Sequence, residues 1–181
     1  MTNDILKILK SDEEIQSRVR ELGEQLARDY EGKFPVVICV LKGSVMFFSD
    51  LLKYMLIPLT LDFMSVSSYR NGTSGGAIHI KQELTAPVTD RNVIIVEDII
   101  DSGRTLNMLK PLLMARGASD VKIITLLDKP SRRDPSVTLK PEYVGFEIPD
   151  EFVVGYGLDY AEKYRNLPYI GVLKPEIYEN A

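Results

Sequence analysis

The hydrophobic and polar positions of the chain alternate between two patterns, and together these predict an α/β protein. Short apolar runs rich in valine and isoleucine lie at 35–41, 93–96 and 121–127. Such runs are typical of parallel strands that are buried on both faces of a sheet. Segments with apolar residues at helical spacing lie at 15–26, 45–56 and 104–116. Buried strands that alternate with helices predict a mostly parallel central sheet flanked by helices.

Local signals add further elements to this outline. Ser11 and Glu14 form a capping box that predicts the start of the first helix, and Gly32 predicts its end. Pro111 lies inside the third helix, where it predicts a kink or an early end. Shorter strands are predicted at 59–63, 77–81, 143–148, 152–154 and 169–173.

A polar, glycine-rich segment at 67–76 separates two of the predicted strands. Its composition offers nothing to bury, so it predicts a mobile surface loop. No repeat or linker divides the 181 residues, and this length is typical of one domain. We therefore expect a single domain over residues 1–181.

The segment that follows the strand at 93–96 contains the most informative group of polar residues. Two acids, Glu97 and Asp98, come directly after the strand, and Asp101 precedes a helix that opens with residues 102–105. Small hydroxylated residues and a glycine at a helix N-terminus direct several backbone N–H groups to one point, which suits a phosphate monoester. Carboxylates can accept hydrogen bonds from sugar hydroxyls or lie near a magnesium ion. The segment predicts a sugar-phosphate site, and the alternative is a capped helix with solvated acids.

Composition narrows the class of protein. Lysine and arginine number 22 against 26 aspartate and glutamate residues, which gives a formal net charge of −4. A mildly acidic chain argues against bulk electrostatic binding of nucleic acid. Cys39 is the single cysteine, lies in an apolar run and is predicted to be a core residue, as in proteins of a reducing cytoplasm. No secretory signal or apolar run of about 20 residues is present, so we expect no membrane partner.

The sequence VIIVEDIIDSGRTL at 93–106 resembles the diphosphoribosyl-binding motif of the purine phosphoribosyltransferases. Three further segments resemble the 6-oxopurine branch of that family, and they lie at 40–44, 67–69 and 149–159. The resemblance covers essentially the whole chain in the right order. It implies a type I phosphoribosyltransferase-like fold with a mostly parallel central sheet. It also implies a closing lid loop at about 67–77 and a small base-binding hood formed by about 148–181.

The resemblance implies a magnesium-dependent transferase of purine salvage. The reaction would convert 5-phosphoribosyl-1-diphosphate and hypoxanthine, with guanine as a second base, into inosine (or guanosine) monophosphate and diphosphate. Two alternatives stay open, namely a xanthine-preferring phosphoribosyltransferase and a non-catalytic, nucleotide-sensing RNA-binding regulator on the same fold. The family also implies a homodimer or homotetramer that binds neither nucleic acid nor a membrane.

The resemblance further implies a role for each matching residue. Asp101 corresponds to the general base, and Glu97 and Asp98 to the acids beside the ribose hydroxyls and the metal. The 5′-phosphate would be held by Ser102, Gly103, Arg104 and Thr105. The diphosphate would be contacted by Lys42, Gly43 and Arg165. The purine would be contacted by Lys129, Phe152 and Val153. Magnesium would be bound by Asp159 together with Glu97 and Asp98, and the lid would contact substrate through Ser68 and Tyr69.

Several of these residues have a simpler interpretation when they are considered alone. Lys42 could be a solvated turn lysine, Lys129 a surface lysine, and Phe152 a core residue at the head of a strand. The family pattern also implies that the peptide bond between Leu41 and Lys42 is cis, which would leave backbone N–H groups free to face diphosphate.

Overall fold

The computed structural model of the protein describes residues 1–68 and 78–179, with the side chains of 67, 68 and 78 left out. Its strands are β1 Ile5–Lys10, β2 Val36–Leu41, β3 Thr60–Ser68, β4 Ile78–Gln82, β5 Asn92–Ile100, β6 Asp120–Asp128, β7 Tyr143–Glu147, β8 Val153–Val154 and β9 Ile170–Leu173. Its α-helices are α1 Asp12–Asp29, α2 Val45–Leu52, α3 Arg104–Ala115 and α4 Pro175–Tyr178. Short 3₁₀ turns lie at Thr2–Asp4 and Pro130–Arg132.

Six strands form the central sheet in the order β4-β3-β2-β5-β6-β7. Four of its pairings are parallel, and the edge strand β4 alone pairs antiparallel, with β3. The predicted α/β class with a mostly parallel sheet is therefore confirmed. Because β2, β5 and β6 run in the same direction, their carboxyl ends and the loops after them meet at one edge.

Helices cover both faces of this sheet, as the apolar pattern predicts. On one face α1 and α2 contribute side chains such as Ile15, Leu22 and Phe47, which are fully or almost fully buried. On the other face α3 contributes Leu109 and Leu113, which are also fully buried. The valine and isoleucine residues of β2 and β5 divide between the two clusters, as strands buried on both faces require.

A second sheet of three antiparallel strands has the order β1-β9-β8. It joins the two ends of the chain, because Ile5 pairs with Leu173 and Lys10 with Ile170. The apolar pattern did not predict β1, and Leu6 within it is 58% exposed. A short edge strand whose partner lies at the other end of the chain leaves no local signal.

Several boundaries differ from those predicted. The β3 strand continues beyond residue 63 to Ser68, so it includes the first two residues of the segment predicted as a loop. The α2 helix ends at Leu52 instead of continuing to 56. The β5 strand continues beyond Val96 to Ile100, so it includes the two acids that were assigned to the following loop. The α3 helix does not end early at Pro111, since Leu109 and Leu113 pack fully against the sheet on both sides of it.

Among residues 1–68 and 78–179, none of the helices combines the length and the apolar composition that crossing a lipid bilayer requires.

The packing of α1 on α2 gives a stability prediction at Gly23. An added Cβ there would lie 2.6 Å from Tyr54 Cβ and 2.9 Å from the Leu51 carbonyl oxygen. Alanine in place of glycine stabilises a helix by about 0.5–1 kcal/mol, whereas overpacking a core destabilises the folded state by about 1–3 kcal/mol. We expect Gly23→Ala to lower the free energy of unfolding by about 1 kcal/mol in urea denaturation.

The control is Ser17→Ala, an exposed position of the same helix, which should leave stability unchanged or slightly raised. A Gly23→Ala protein that is as stable as the control would show that the two helices have room for the methyl group.

Candidate active site

The carboxyl edge of the central sheet opens into a cavity of about 330 Å³. Most of the residues predicted to contact phosphate, ribose or metal line it, namely Gly43, Glu97, Asp98, Asp101, Ser102, Gly103, Thr105, Asp159 and Arg165. They come from the loop after β2, the end of β5, the start of α3 and the segment after β8. The structure thus brings together residues that are separated by more than half of the chain.

A second cavity of about 450 Å³ lies beside the first. The three residues predicted to contact a purine line it, namely Lys129, Phe152 and Val153. Asp101 and Asp159 belong to the walls of both cavities. Asp101 therefore lies where a group bound in one cavity would meet a group bound in the other.

The turn between β5 and α3 provides the predicted anion site. Gly103 precedes the helix with a φ of 76°, a left-handed conformation that suits glycine. The Arg104 N–H donates to the Ser102 hydroxyl at 3.4 Å. The N–H groups of the first helical turn have no intrahelical acceptor and carry the positive end of the helix dipole. This part of the cavity wall is therefore suited to a phosphate group.

The segment after β6 supports this turn from behind. Arg133 forms a largely buried ion pair with Asp128, and its guanidinium donates to the Asp101 carbonyl oxygen at 3.2 Å. The Asp134 N–H donates to the Ser102 carbonyl oxygen at 3.1 Å. Sequence reasoning missed these contacts, because the polar stretch at 129–133 has the composition of a solvated loop.

Arg104 points its guanidinium away from the cavity wall and toward Asp134, with 2.5 Å between Arg104 Nε and Asp134 Oδ2. The Ser136 hydroxyl and N–H also donate to Asp134, at 2.7 and 2.8 Å. These donors and the Arg104 charge lower the pKa of Asp134 to about 2. In this arrangement the side chain of Arg104 stabilises the loop, and the neighbouring Ser102, Gly103 and Thr105 line the cavity.

Glu97 and Asp98 lie side by side at the end of β5. Burial and the negative charge of Asp98 raise the pKa of Glu97 well above its usual range. Burial also raises the pKa of Asp98. Two partly desolvated acids without a cation between them are electrostatically unfavourable, so this end of β5 favours a bound cation or hydrogen-bond donors.

The loop after β2 is held against these acids at Gly43. A Cβ on Gly43 would overlap the Asp98 carboxylate, and a Cβ on Gly157 would overlap the Gly43 carbonyl oxygen. Gly157 has a φ of 101°, which also favours glycine. The Leu41–Lys42 peptide bond is cis, as the family pattern implies.

The two cations predicted for diphosphate already have acidic partners. Lys42 Nζ lies 3.1 Å from Glu162 in an exposed pair, outside the walls of both cavities. Arg165 lies 2.8 Å from Asp159 and 3.5 Å from Glu162, and it donates to the Gly157 carbonyl oxygen at 2.8 Å. Glu162 contacts both cations, and sequence reasoning did not single it out.

Lys129 is buried, with only 6% of its surface exposed. The simpler interpretation of a surface lysine is therefore wrong. Its Nζ lies 3.6 Å from the Asp101 carboxylate, and its N–H donates to the Ile100 carbonyl oxygen at 3.0 Å. A buried ammonium group with one acidic neighbour retains donors for an acceptor in the second cavity.

Phe152 lies on the wall of the second cavity and is 37% exposed, so it is not a core residue. Its neighbour Val153 is buried in β8. Tyr178, Leu158 and Ile99 also line this cavity and were not predicted. Of the predicted lid contacts, Ser68 is the last residue of β3 with its side chain undescribed, and Tyr69 lies outside the described residues.

The described residues contain no cluster of three or more acidic, histidine or cysteine side chains that could hold a metal alone. The acids that are present still suit magnesium, which usually binds one or two carboxylates and completes its shell with water and substrate phosphates. Asp98 and Asp159 both line the first cavity. The residues therefore fit an ion that is shared with a phosphorylated ligand.

The fold and this carboxyl-edge site are those of the phosphoribosyl transferases, and the chain belongs to this family. The phosphoribosyl transferase domain model matches residues 6–161. The chain is 55% identical to the hypoxanthine-guanine phosphoribosyltransferase of Bacillus subtilis over 181 residues, covering 99% of both proteins. It is also 58% identical to the bifunctional protein TilS/HprT of Listeria innocua. That match covers 98% of this chain but only 27% of the longer relative.

Solved structures agree with this assignment. The crystal structure of a hypoxanthine phosphoribosyltransferase from Staphylococcus aureus superposes with a TM-score of 0.94 at 50% identity, covering 98% of this chain and 96% of that one. The predicted type I phosphoribosyltransferase-like fold is therefore confirmed.

The low pKa of Asp134 gives a pH-dependent stability prediction. Because its folded-state pKa of about 2 lies below the ordinary value of 3.8, the ionised carboxylate stabilises the folded state above that value. This stabilisation is lost as the pH falls from about 4 to about 2. Wild type should be more stable than Asp134→Asn at neutral pH, and the two should converge in this acidic range when unfolding is measured in urea. A difference that stays constant throughout would contradict the contacts of Asp134 with Ser136 and Arg104 that lower its pKa.

Proposed function

We propose that the protein is a hypoxanthine-guanine phosphoribosyltransferase of purine salvage. It would transfer the phosphoribosyl group of 5-phosphoribosyl-1-diphosphate to a purine nitrogen and release diphosphate. The observation that carries this proposal is the position of Asp101 on the wall shared by the two cavities, with the buried Lys129 beside it. One cavity suits phosphates, and the other suits a flat base with an oxygen acceptor.

Asp101 would act as the general base. Its side chain is 53% exposed, so it can reach a bound base. A carboxylate over the purine can take the N7 proton as N9 attacks the ribosyl carbon. The Lys129 ammonium lies 3.6 Å from this carboxylate, so the general base and the group that would select the purine lie side by side.

Lys129 would select the base through its 6-position. An ammonium group has only donors, so it can donate to the 6-oxo oxygen of hypoxanthine or guanine. Adenine carries an amino group there, which also donates and would leave the buried cation without an acceptor. Val153 would meet the edge of the base, and the exposed surface of Phe152 would stack on its face.

The phosphates would be bound mainly by fixed dipoles. Ser102, Gly103 and Thr105 line the first cavity at the start of α3, and the backbone N–H groups of residues 102–105 would bind the 5′-phosphate there. Arg165 and Lys42 would contact diphosphate after exchanging their present carboxylate partners for phosphate oxygens. Gly43 leaves the backbone of its loop accessible to the same group.

Magnesium would be held by Asp159 and by Glu97 and Asp98, with diphosphate and ribose oxygens completing the shell. When bound, the ion would supply positive charge that stabilises the leaving diphosphate. Glu97 and Asp98 would also accept hydrogen bonds from the ribose hydroxyls. Their negative charge favours the cationic character that develops at the ribosyl carbon.

We also propose the domain organisation that the family implies. The chain would be a single domain over residues 1–181 in which the sheet β1-β9-β8 forms the hood over the base, so the hood includes an N-terminal strand as well as 148–181. Residues 67–77 would form the lid. The resemblance supports a homodimer or homotetramer without nucleic-acid or membrane partners. The single buried Cys39 fits a cytoplasmic location.

The first test is a base panel. Purified protein with 5-phosphoribosyl-1-diphosphate and magnesium should release diphosphate with hypoxanthine and guanine, and not with adenine. Omission of magnesium should abolish the release. Xanthine preferred over both would favour the xanthine-specific alternative, and no release with any base would refute the proposed function.

The second test concerns the general base. Asp101→Asn should reduce kcat by about 10²–10⁴-fold, the usual contribution of a general base, with a much smaller change in substrate binding. The matched control is Asp120→Asn. Asp120 is the first residue of β6 and so lies at the end of the strand away from the site, and this variant should keep wild-type kcat. Wild-type turnover by Asp101→Asn would exclude the residue from the mechanism.

A further inference from the structure

The Phe152 ring is stacked against a second aromatic ring, Tyr178, to which the proposed function assigns no role. Tyr178 stacks on it with 4.6 Å between ring centroids and 17° between ring planes. Tyr160 approaches at 5.6 Å with the ring planes nearly perpendicular. Offset stacked and edge-to-face pairs are the geometries that aromatic rings prefer.

Tyr178 is fixed in place by the chain around it. The Lys174 N–H donates to the Asp4 carbonyl oxygen at 2.9 Å, which ties the start of α4 to the N-terminus. The Tyr178 side chain packs against the small cluster that includes Val154 and Leu173. The Leu173 N–H donates to the Phe152 carbonyl oxygen at 2.8 Å, so the C-terminal segment holds Phe152 through both its backbone and its ring.

The contact with Tyr178 still leaves Phe152 surface available. Phe152 remains 37% exposed and forms part of the cavity wall with Lys129 and Val153. Tyr178 lines the same cavity, so the two stacked rings form one part of its wall, and the exposed surface of Phe152 is open to a ligand there. A phenylalanine held on one side also loses less side-chain freedom when a ligand binds to the other side.

We infer that Tyr178 is a positioning residue for base binding. It stacks on Phe152 and holds that ring in place, so that purine, Phe152 and Tyr178 form consecutive layers of one stack. This inference rests on the proposed function, because it concerns the purine site of that reaction. Tyr178 acts through Phe152, so its loss affects the affinity for the base more than the chemical step.

The test compares Tyr178→Leu, which removes the ring, with Tyr178→Phe, which keeps it. Tyr178→Leu should raise the KM for hypoxanthine about three- to tenfold, the range expected for an aromatic pair, while the KM for 5-phosphoribosyl-1-diphosphate and kcat stay near wild type. Tyr178→Phe should keep the wild-type KM values. Thermal midpoints are measured for each variant, and Tyr178→Met replaces the leucine variant if that protein does not fold.

A purely structural role would lower the thermal midpoint or the active fraction, and leave the KM for hypoxanthine unchanged in Tyr178→Leu. That result would overturn the inference. A lowered KM would also overturn it, because it would mean that Tyr178 occupies the place of the base. An equal rise in Tyr178→Phe would assign the effect to the hydroxyl group and would contradict stacking.

Calorimetric binding of inosine monophosphate separates this inference from the proposed function. If wild type binds the nucleotide but transfers no phosphoribosyl group, the proposed catalysis fails, and a three- to tenfold weaker binding by Tyr178→Leu still supports the stack. If wild type is active and the leucine variant keeps its affinity for base and nucleotide, the inference alone fails. Wild-type protein with neither binding nor turnover would refute both.

Discussion

The arrangement of the site depends on how closely the backbone at Gly43 approaches its neighbours. The Asp98 carboxylate fills the space where a side chain at residue 43 would lie, and the Gly43 carbonyl oxygen does the same at Gly157. The end of β5, the loop after β2 and the segment after β8 are therefore held together at one point. Gly43 and Asp98 line the first cavity, and the residues that follow Asp98 and Gly157 in the chain, Ile99 and Leu158, line the second, so the relative position of the two cavities depends on this contact.

Charge pairing in the site explains how a mildly acidic protein can suit a polyanionic ligand. Lys42, Arg165 and Lys129 each have an acidic partner within 4 Å, and two of these partners, Asp159 and Asp101, line the cavities themselves. A phosphate group must therefore compete with carboxylates for the side-chain cations. Within the described part of the chain, the backbone N–H groups at the start of α3 have no carboxylate competitor of this kind, because the Arg104 N–H donates only to the Ser102 hydroxyl, at 3.4 Å.

Sequence reasoning predicted the parts of the molecule whose signals are local. The buried strands, the capping box of α1 and the acids at the end of β5 are each encoded in residues close together in the chain. It overestimated α2 because apolar residues continue to Leu56, which is 87% exposed. It missed β1, the Arg133–Asp128 pair and Tyr178, since each acts through a contact with a residue elsewhere in the fold. The burial of Lys129 likewise cannot be inferred from its polar surroundings.

The pairing of β1 with β9 has a consequence for biosynthesis. Among the described strands β1 is translated before all the others, and its partner Ile170–Leu173 is translated after all the others. The six strands of the central sheet all lie between β1 and β9 in the chain, so this sheet can assemble before β1 has its partner strand. The cavity wall that carries Phe152 and Tyr178 is completed only after residue 178 has been translated. Nascent chains that stop before residue 170 would therefore contain the sheet and the phosphate turn but lack a finished pocket for the base.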